Sequence, residues 1–168
     1  MSFDLTQLIV RDALPEDLEA LDALRPLGVL HADRIRMAHP KRYRYLLADL
    51  DEKIAGTALL YFQPEMGWDR RQQVPLLLDL FVPENMRSQG IGTALISATE
   101  QFCLAAGYGH LYLRVDPDLN PRAFNLYKRL GFQPLQSQPY PDPYRFTDST
   151  GKVTEGIEHV IDMRKWLA

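Results

Sequence analysis

The amino-acid sequence predicts a mixed α/β fold of the α+β type, built as one domain over residues 1–168. Apolar runs of strand length alternate with segments of helical periodicity, which is the order expected when helices cover a sheet. No Pro/Gly/Ser-rich linker, internal repeat or low-complexity tract divides the sequence. With 168 residues, 46% of them hydrophobic, the chain is long enough to bury one sizeable core.

The first part of the chain is predicted to supply a strand, two helices and a hairpin. Pro15 favours a helix start, because proline suits the first helical position, and leucines follow it at helical spacing. The polar turn Asp51-Glu52-Lys53 is typical of a hairpin. The predicted elements are a strand at Leu8–Arg11, helices from Pro15 and over Leu30–Ala38, and strands at Tyr43–Leu50 and Ile54–Phe62.

The second part is predicted to alternate strands and helices and to close with two strands. Val74–Val82 is apolar on both faces apart from Asp79, so we expect a central strand that is covered on both sides. Asn120-Pro121 is expected to begin a helix, because asparagine is a good N-cap. The remaining predicted elements are helices at Thr93–Ala106 and from Asn120 to Gly131, strands at Leu111–Asp116, Phe132–Leu135 and Ile157–Trp166, and a long irregular connection at Gln136–Gly156.

A glycine-containing loop, Arg87-Ser88-Gln89-Gly90-Ile91-Gly92, follows the predicted central strand and precedes a helix. The first turn of a helix has N–H groups without partners and a partial positive charge, and glycines let that backbone approach a phosphate closely. Arg87 would add a charge-assisted hydrogen bond. The loop is therefore predicted to bind a phosphate group.

Two common phosphate ligands do not fit the spacing of this loop. A nucleotide P-loop ends in Gly-Lys-Ser/Thr, whereas Gly151-Lys152 is followed by Val153. A dinucleotide fingerprint needs a third glycine or alanine, and Leu95 occupies that position. Neither ATP nor NAD is favoured.

The pattern Arg/Gln-x-x-Gly-x-Gly/Ala after a strand ending in valine resembles the coenzyme A pyrophosphate loop of the GNAT superfamily of N-acetyltransferases. Two further segments are similar to that family: Ile9-Val10-Arg11 with Pro15-Glu16-Asp17-Leu18, and Asn120-x-x-Ala123-x-x-Leu126-Tyr127-Lys128-Arg129-Leu130-Gly131-Phe132. The element order matches from Leu8 to about Leu167. The resemblance implies a mixed sheet of about seven strands, splayed between the fourth and fifth and flanked by about four helices.

The resemblance also implies acetyl-CoA as co-substrate and transfer of its acetyl group to a primary amine. The pantetheine arm would pair with the end of the central strand as an added strand, and one strand N–H would point at the thioester oxygen. Asn120 would bind the arm or its attacking partner. The implied pantetheine residues are Leu80, Phe81 and Val82, and the implied pyrophosphate residues are Arg87, Ser88, Gln89, Gly90, Ile91, Gly92 and Thr93.

Two residues are candidates for the catalytic acid and base. Tyr127 corresponds to the family tyrosine that protonates the departing sulfur, and a phenol with a pKa near 10 is protonated at pH 7. By itself Tyr127 would be interpreted as a buried aromatic. Asp79 is the leading candidate for the base, and the alternative for Asp79 is an ion pair within the sheet, for example with Arg114.

The alternative function is an acyl-CoA-binding module without turnover, and Tyr127 with Asn120 favours the enzyme. Ribosomal-protein acetyltransferases of the family carry a glutamate in a Leu-Glu-Val segment, where this chain has Leu113-Arg114-Val115. Acetylation of protein N-termini is therefore disfavoured. The acceptor, the acyl-chain length and the oligomeric state are left open.

The composition and charge of the chain indicate which classes of partner and which cellular location are expected. A net charge of −3 argues against broad nucleic-acid binding, and no uncharged apolar stretch approaches the about 18 residues needed to cross a membrane. Met1–Val10 lacks the basic region of a secretory signal, so a cytoplasmic location is expected.

The single cysteine, Cys103, is expected to be a small buried hydrophobe. Four scattered histidines lack metal-ligand spacing, so no metal is expected.

Two charged clusters near the predicted acceptor region indicate opposite substrate charges. The basic cluster would attract an anionic acceptor or form a solvated basic face. The aromatic and acidic cluster would hold a cationic amine, form a homodimer contact or lie at the surface without a role. The basic cluster comprises Arg34, Arg36, Lys41, Arg42 and Arg44, and the aromatic and acidic cluster comprises Tyr140, Asp142, Tyr144, Phe146 and Asp148.

Overall fold

The computed structural model describes residues 4–62 and 74–168, which contain eight strands and four α-helices. Three short 3₁₀ turns lie at Leu5–Gln7, Pro15–Asp17 and Glu84–Met86. The helices are α1 (Leu18–Leu24), α2 (Leu30–Met37), α3 (Ile91–Ala105) and α4 (Pro121–Arg129). The strands are β1 (Leu8–Asp12), β2 (Tyr43–Leu50), β3 (Lys53–Tyr61), β4 (Leu76–Phe81), β5 (His110–Val115), β6 (Gln133–Pro134), β7 (Tyr140–Thr147) and β8 (Val153–Trp166).

The strands form one mixed sheet in the order β1-β2-β3-β4-β5-β8-β6, with β7 paired to the outer part of β8. Strands β4 and β5 are parallel, and the other neighbouring pairs are antiparallel. The predicted fold class is confirmed, and the predicted strands and helices are present with shifted ends. The eighth strand, β7, exceeds the expected number.

Strand β7 corrects the prediction of an irregular connection over Gln136–Gly156. Its residues pair in continuous register with β8, from Tyr140 opposite Val160 to Thr147 opposite Val153. Prolines at positions 141 and 143 weaken the strand signal in the sequence, because proline lacks a backbone donor. Alternate residues of an edge strand direct their N–H groups away from the partner strand, so prolines two positions apart are compatible with the ladder.

Helices cover both faces of the sheet. On one face α3 and α4 pack on the sheet, and Leu95 of α3 lies in a fully buried cluster with Leu46 of β2. On the other face Leu21 of α1 packs with Leu47, the next residue along β2. Cys103 of α3 is fully buried as predicted, and burial raises the pKa of its thiol to about 12. Within the described residues, no helix is both long and apolar enough for a membrane span.

Candidate active site

Strands β4 and β5 are paired only at the start of β4, which lies opposite the middle of β5. Leu76 and Leu77 lie opposite Tyr112 and Leu113, and beyond these pairs the two described strands are not registered with each other. The cleft between their separated ends has a volume of about 770 Å³ and is bounded by residues 79–82 and 114–116. This volume lies in the range of small-molecule sites.

A β-bulge accompanies this separation. Between Leu78 and Phe81, β4 advances three residues while β3 advances two, so β4 carries one extra residue and bends. Asp79 at the bulge has a φ of 47°, in the left-handed region that is unfavourable for a residue with a Cβ. Gly56 of β3 permits the close approach, because a Cβ at this position would lie 2.8 Å from the carbonyl oxygen of Phe81.

The glycine loop lies at one end of the cleft. Ser88 and Gly90 have φ values of 60° and 90°, and Gly90 is the N-cap of α3. The N–H of Ala94 donates to the Gly90 carbonyl, which leaves the N–H groups of residues 91–93 without partners in the helix. Residues 86–88 and 90–93 line the cleft, whereas the side-chain amide of Gln89 donates to the Asn85 carbonyl at 3.3 Å.

Two arginines border this loop. The Nε of Arg87 donates to the Val82 carbonyl at 2.9 Å, which holds the guanidinium at the end of β4. Arg122, in the first turn of α4, donates from Nη2 to the Ser88 hydroxyl and lines the cleft. The sequence reasoning missed Arg122. Its position was a usable signal, because a cation at a helix N-terminus is unfavourable unless an anion is nearby.

Helix α4 brings Asn120 and Tyr127 to the same cleft. Asn120 lies at the N-cap position, but its side chain makes no capping hydrogen bond, contrary to expectation. Tyr127 is only 7% exposed and contacts Phe132 edge to face, with ring centroids 5.9 Å apart. Burial, together with the negative charge of Asp79, raises the pKa of Tyr127 to about 12. The phenol therefore keeps its proton at neutral pH.

Asp79 forms an ion pair, but not with the expected Arg114. Nη1 of Arg25 donates to both carboxylate oxygens of Asp79 at 3.0 Å, and Nη2 of Arg34 lies 2.8 Å from Oδ2. The guanidinium of Arg25 also lies over the Phe81 ring, 4.6 Å from its centroid. To accept a proton, Asp79 would have to weaken two ion pairs.

Arg114 instead joins the hairpin of β7 and β8 to β5. Its Nε donates to Asp162 of β8 and its Nη1 to Asp142 of β7, each at 3.0 Å. The buried Asp162 also accepts hydrogen bonds from the Tyr140 hydroxyl, at 2.8 Å, and from the Gln136 amide, at 3.0 Å. Burial and the bond to Asp162 raise the pKa of Tyr140. The hairpin is thereby held beside the cleft.

The predicted basic cluster does not form one surface. Arg34 is mostly buried against Asp79. Arg44 pairs with Asp12 at 2.7 Å, and its guanidinium lies 3.6 Å from the centroid of the Phe102 ring. These two arginines therefore have structural contacts and do not form a solvated basic face.

The buried His31 of α2 links strand β2 to the end of α1, next to the cleft-lining Arg25. Its Nδ1 lies 2.7 Å from the Tyr45 hydroxyl, and its Nε2 lies 2.7 Å from the Arg25 carbonyl. Across residues 4–62 and 74–168, no three His, Cys, Asp or Glu side chains are grouped to hold a metal ion.

The fold agrees with the comparisons with known proteins. Residues 7–132 match the model of the acetyltransferase (GNAT) family, and the chain belongs to that family. The fold is also similar to a GNAT family acetyltransferase from Elizabethkingia anophelis solved with acetyl-CoA, with a TM-score of 0.60 and 18% identity over 96% of this chain and 99% of the other.

Two curated relatives share more of the sequence over shorter segments. An N-alpha-acetyltransferase of Sulfurisphaera tokodaii is 33% identical over 110 residues, which are 58% of this chain and 62% of the relative. The thialysine N-epsilon-acetyltransferase of Bos taurus is 38% identical over 82 residues, which are 49% of this chain and 46% of the relative. The chain thus spans about half to three fifths of the length of these relatives.

Proposed function

We propose that the protein is an acetyl-CoA-dependent N-acetyltransferase that acts on a primary amine of a small molecule or on an exposed amino group. The observation that carries the proposal is one cleft with a glycine loop at its end and a buried, protonated Tyr127 in its wall. The two curated relatives are named as an N-alpha- and an N-epsilon-acetyltransferase, which supports an amine acceptor.

The loop end of the cleft fits the pyrophosphate of coenzyme A. The N–H groups of residues 91–93, the helix dipole of α3 and the guanidinium groups of Arg87 and Arg122 supply donors and positive charge. A Cβ at Gly92 would lie 3.6 Å from Leu126 and 3.9 Å from Val82, so glycine keeps this part of the cleft open.

The separated end of β4 fits the pantetheine arm. Residues 78–81 are not paired with β5, so this side of β4 can accept an added strand. Bound acetyl-CoA supplies the acetyl group as a thioester. A backbone N–H among Leu80, Phe81 and Val82 donates to the thioester oxygen as negative charge develops there, and Asn120 orients the arm.

Tyr127 is the proposed general acid. Its hydroxyl donates a proton to the sulfur as the carbon–sulfur bond breaks, after the amine nitrogen has bonded to the carbonyl carbon, and the proton that the amine loses restores the phenol through solvent. Because burial and Asp79 raise its pKa to about 12, the acid is present in its protonated form throughout the neutral and moderately alkaline range.

Asp79 is proposed either as the base or as a positioning residue, and its two ion pairs favour the second role. Asp79→Asn separates the two. Loss of a base removes the acid limb of the kcat/KM profile and lowers kcat. Loss of a positioning residue lowers thermal stability and leaves the shape of the profile unchanged.

The donor assignment is tested by thermal unfolding with acetyl-CoA. A ligand at 100 times its Kd adds about 2.7 kcal/mol to the free energy of unfolding. A thiol-release assay with amino acids, polyamines, aminoglycosides and peptides then identifies the acceptor. The buried Cys103, with a thiol pKa of about 12, should give little background in this assay.

Two results would change the proposal. If acetyl-CoA, CoA and longer acyl-CoAs all fail to stabilise the protein, the donor assignment is wrong. Stabilisation by acetyl-CoA without turnover of any amine would favour the alternative, a non-catalytic acyl-CoA-binding module.

A further inference from the structure

We call the part of the cleft lined by Arg25, Asp79, Arg114 and Glu158 its acceptor end. This end carries a carboxylate that has no role in the mechanism above. We propose that Glu158 binds a positively charged group of the acceptor, separate from the nitrogen that is acetylated, and so selects dicationic amines. This inference rests on the proposed acetyltransferase activity. Glu158 lies on β8 and lines the same cleft as Tyr127 and the bulged end of β4.

The charges around Glu158 favour a cation. Arg25 and Arg34 share the single carboxylate of Asp79, whereas Arg114 lies between two carboxylates, Asp142 and Asp162, so the hairpin that carries Glu158 has a local excess of negative charge. The Glu158 side chain is exposed and makes no hydrogen bond or ion pair with residues 4–62 or 74–168. Among the described residues, Glu158 is therefore a carboxylate that lines the cleft without an ion pair.

A second observation concerns the strand pairing of Glu158. Asp142 of β7 lies directly opposite Glu158 in the antiparallel register. Like charges in that arrangement are destabilising. Arg114 relieves the charge of Asp142, and a cation bound at Glu158 would relieve the remaining repulsion.

The position of Glu158 along β8 indicates which part of the acceptor it meets. Val115, at the end of β5, is paired with Ile161. Glu158 lies three residues beyond Ile161, which is about 10 Å of extended strand. The buried Val160 lies between them, on the same face as Glu158, and lines the cleft. An acceptor with an apolar spacer between its two amines matches this order of apolar and anionic side chains.

Three acceptors with six carbons each test the proposal: 1,6-diaminohexane, hexylamine and 6-aminohexanoate. They place a cation, a methyl group or an anion at the end remote from the reacting nitrogen. For the wild-type protein we expect kcat/KM to be about tenfold or more higher for the diamine than for hexylamine, and lowest for 6-aminohexanoate. Two equivalent amines in the diamine account for only about a factor of two of this difference.

Glu158→Gln should reduce the preference for the diamine to about twofold, through a higher KM for the diamine, with kcat and the KM for acetyl-CoA unchanged. Glu158→Lys should make 6-aminohexanoate the better acceptor. Glu155→Gln is the matched control, because Glu155 is exposed on the same strand, lies 3.8 Å from Arg145 and does not line this cleft.

The outcomes separate this inference from the proposed function. Equal kcat/KM for the diamine and hexylamine in the wild type, or an unchanged preference in Glu158→Gln, overturns the role of Glu158 while the acetyltransferase activity stands. Binding of acetyl-CoA without turnover of any amine overturns the proposed function and the inference together.

Discussion

The two ends of the cleft are built in different ways. The end that we propose binds the donor is formed largely by residues 86–88 and 90–93, at the start of α3. The end that we propose binds the acceptor is formed by side chains far apart in sequence. Arg25 and Asp79 are separated by 54 positions and Arg114 and Asp162 by 48.

This difference bears on how the protein can vary. Backbone donors in a glycine loop bind the same phosphate whatever the neighbouring side chains are, so the donor end is suited to one ligand. At the proposed acceptor end, a single charge change at Glu158 is expected to alter which acceptor fits. Specificity for the acceptor is therefore expected to change without changing the fold.

The largest expected effect is on kcat, for a substitution of Tyr127. Tyr127→Phe should lower kcat by about 100-fold or more while the KM for acetyl-CoA is retained, because general acid catalysis contributes roughly 10²–10⁴. Since the pKa of Tyr127 is about 12, the wild-type kcat should show no alkaline decline from this group until the pH approaches 12. Steady-state kinetics with Tyr144→Phe as control would test this, and equal kcat values for Tyr127→Phe and the wild type would exclude the acid role.

The next effect concerns stability at the acceptor end. Asp79→Asn should lower the free energy of unfolding by about 2 kcal/mol, because it leaves Arg25 and the mostly buried Arg34 without their counter-charge. Denaturant unfolding would measure this loss. Glu155→Gln, which removes an exposed pair, should change stability by less than about 0.5 kcal/mol. Similar losses for both variants would mean that the ion pairs of Asp79 with Arg25 and Arg34 do not stabilise the protein.

At the donor end, Arg122→Ala should raise the Kd for acetyl-CoA by about tenfold, since a charge-assisted contact to a phosphate is lost. The effect should shrink at high salt. Calorimetric titration at two ionic strengths would show it, with Arg145→Ala of the hairpin as the control. An unchanged Kd for Arg122→Ala would assign the loop charge to Arg87 alone.

The smallest expected effect separates the two loop glycines. Gly90→Ala should cost about 1 kcal/mol of stability or more, because Gly90 has a φ of 90° that alanine adopts with strain and because the added Cβ would lie 2.9 Å from Cδ1 of Leu5. Gly92→Ala should leave the free protein nearly as stable, since its Cβ would meet only ordinary contacts at 3.6 and 3.9 Å. Thermal unfolding without ligand would compare them. Equal destabilisation by both substitutions would contradict the assignment of backbone strain to Gly90.

The sequence by itself determined the strand–loop–helix segment that we propose as the donor end. The strand, the loop from Arg87 to Gly92 and the start of α3 are consecutive, and local signals such as helical periodicity and glycine placement predict consecutive elements. Tyr127 was also predictable, because its motif lies within one helix. Arg122 was missed, although its place beside Asn120-Pro121 was open to the same local argument.

Only the tertiary structure decided the acceptor end. Asp79 pairs with Arg25 and Arg34 because the bulge in β4 and the packing of α1 and α2 bring them together, and no sequence spacing specifies that contact. Strand β7 was also not predicted, because its prolines weaken the local strand signal and its stability comes from pairing with β8. Local patterns encode the order of elements, whereas the choice of ion-pair partners depends on how distant elements meet.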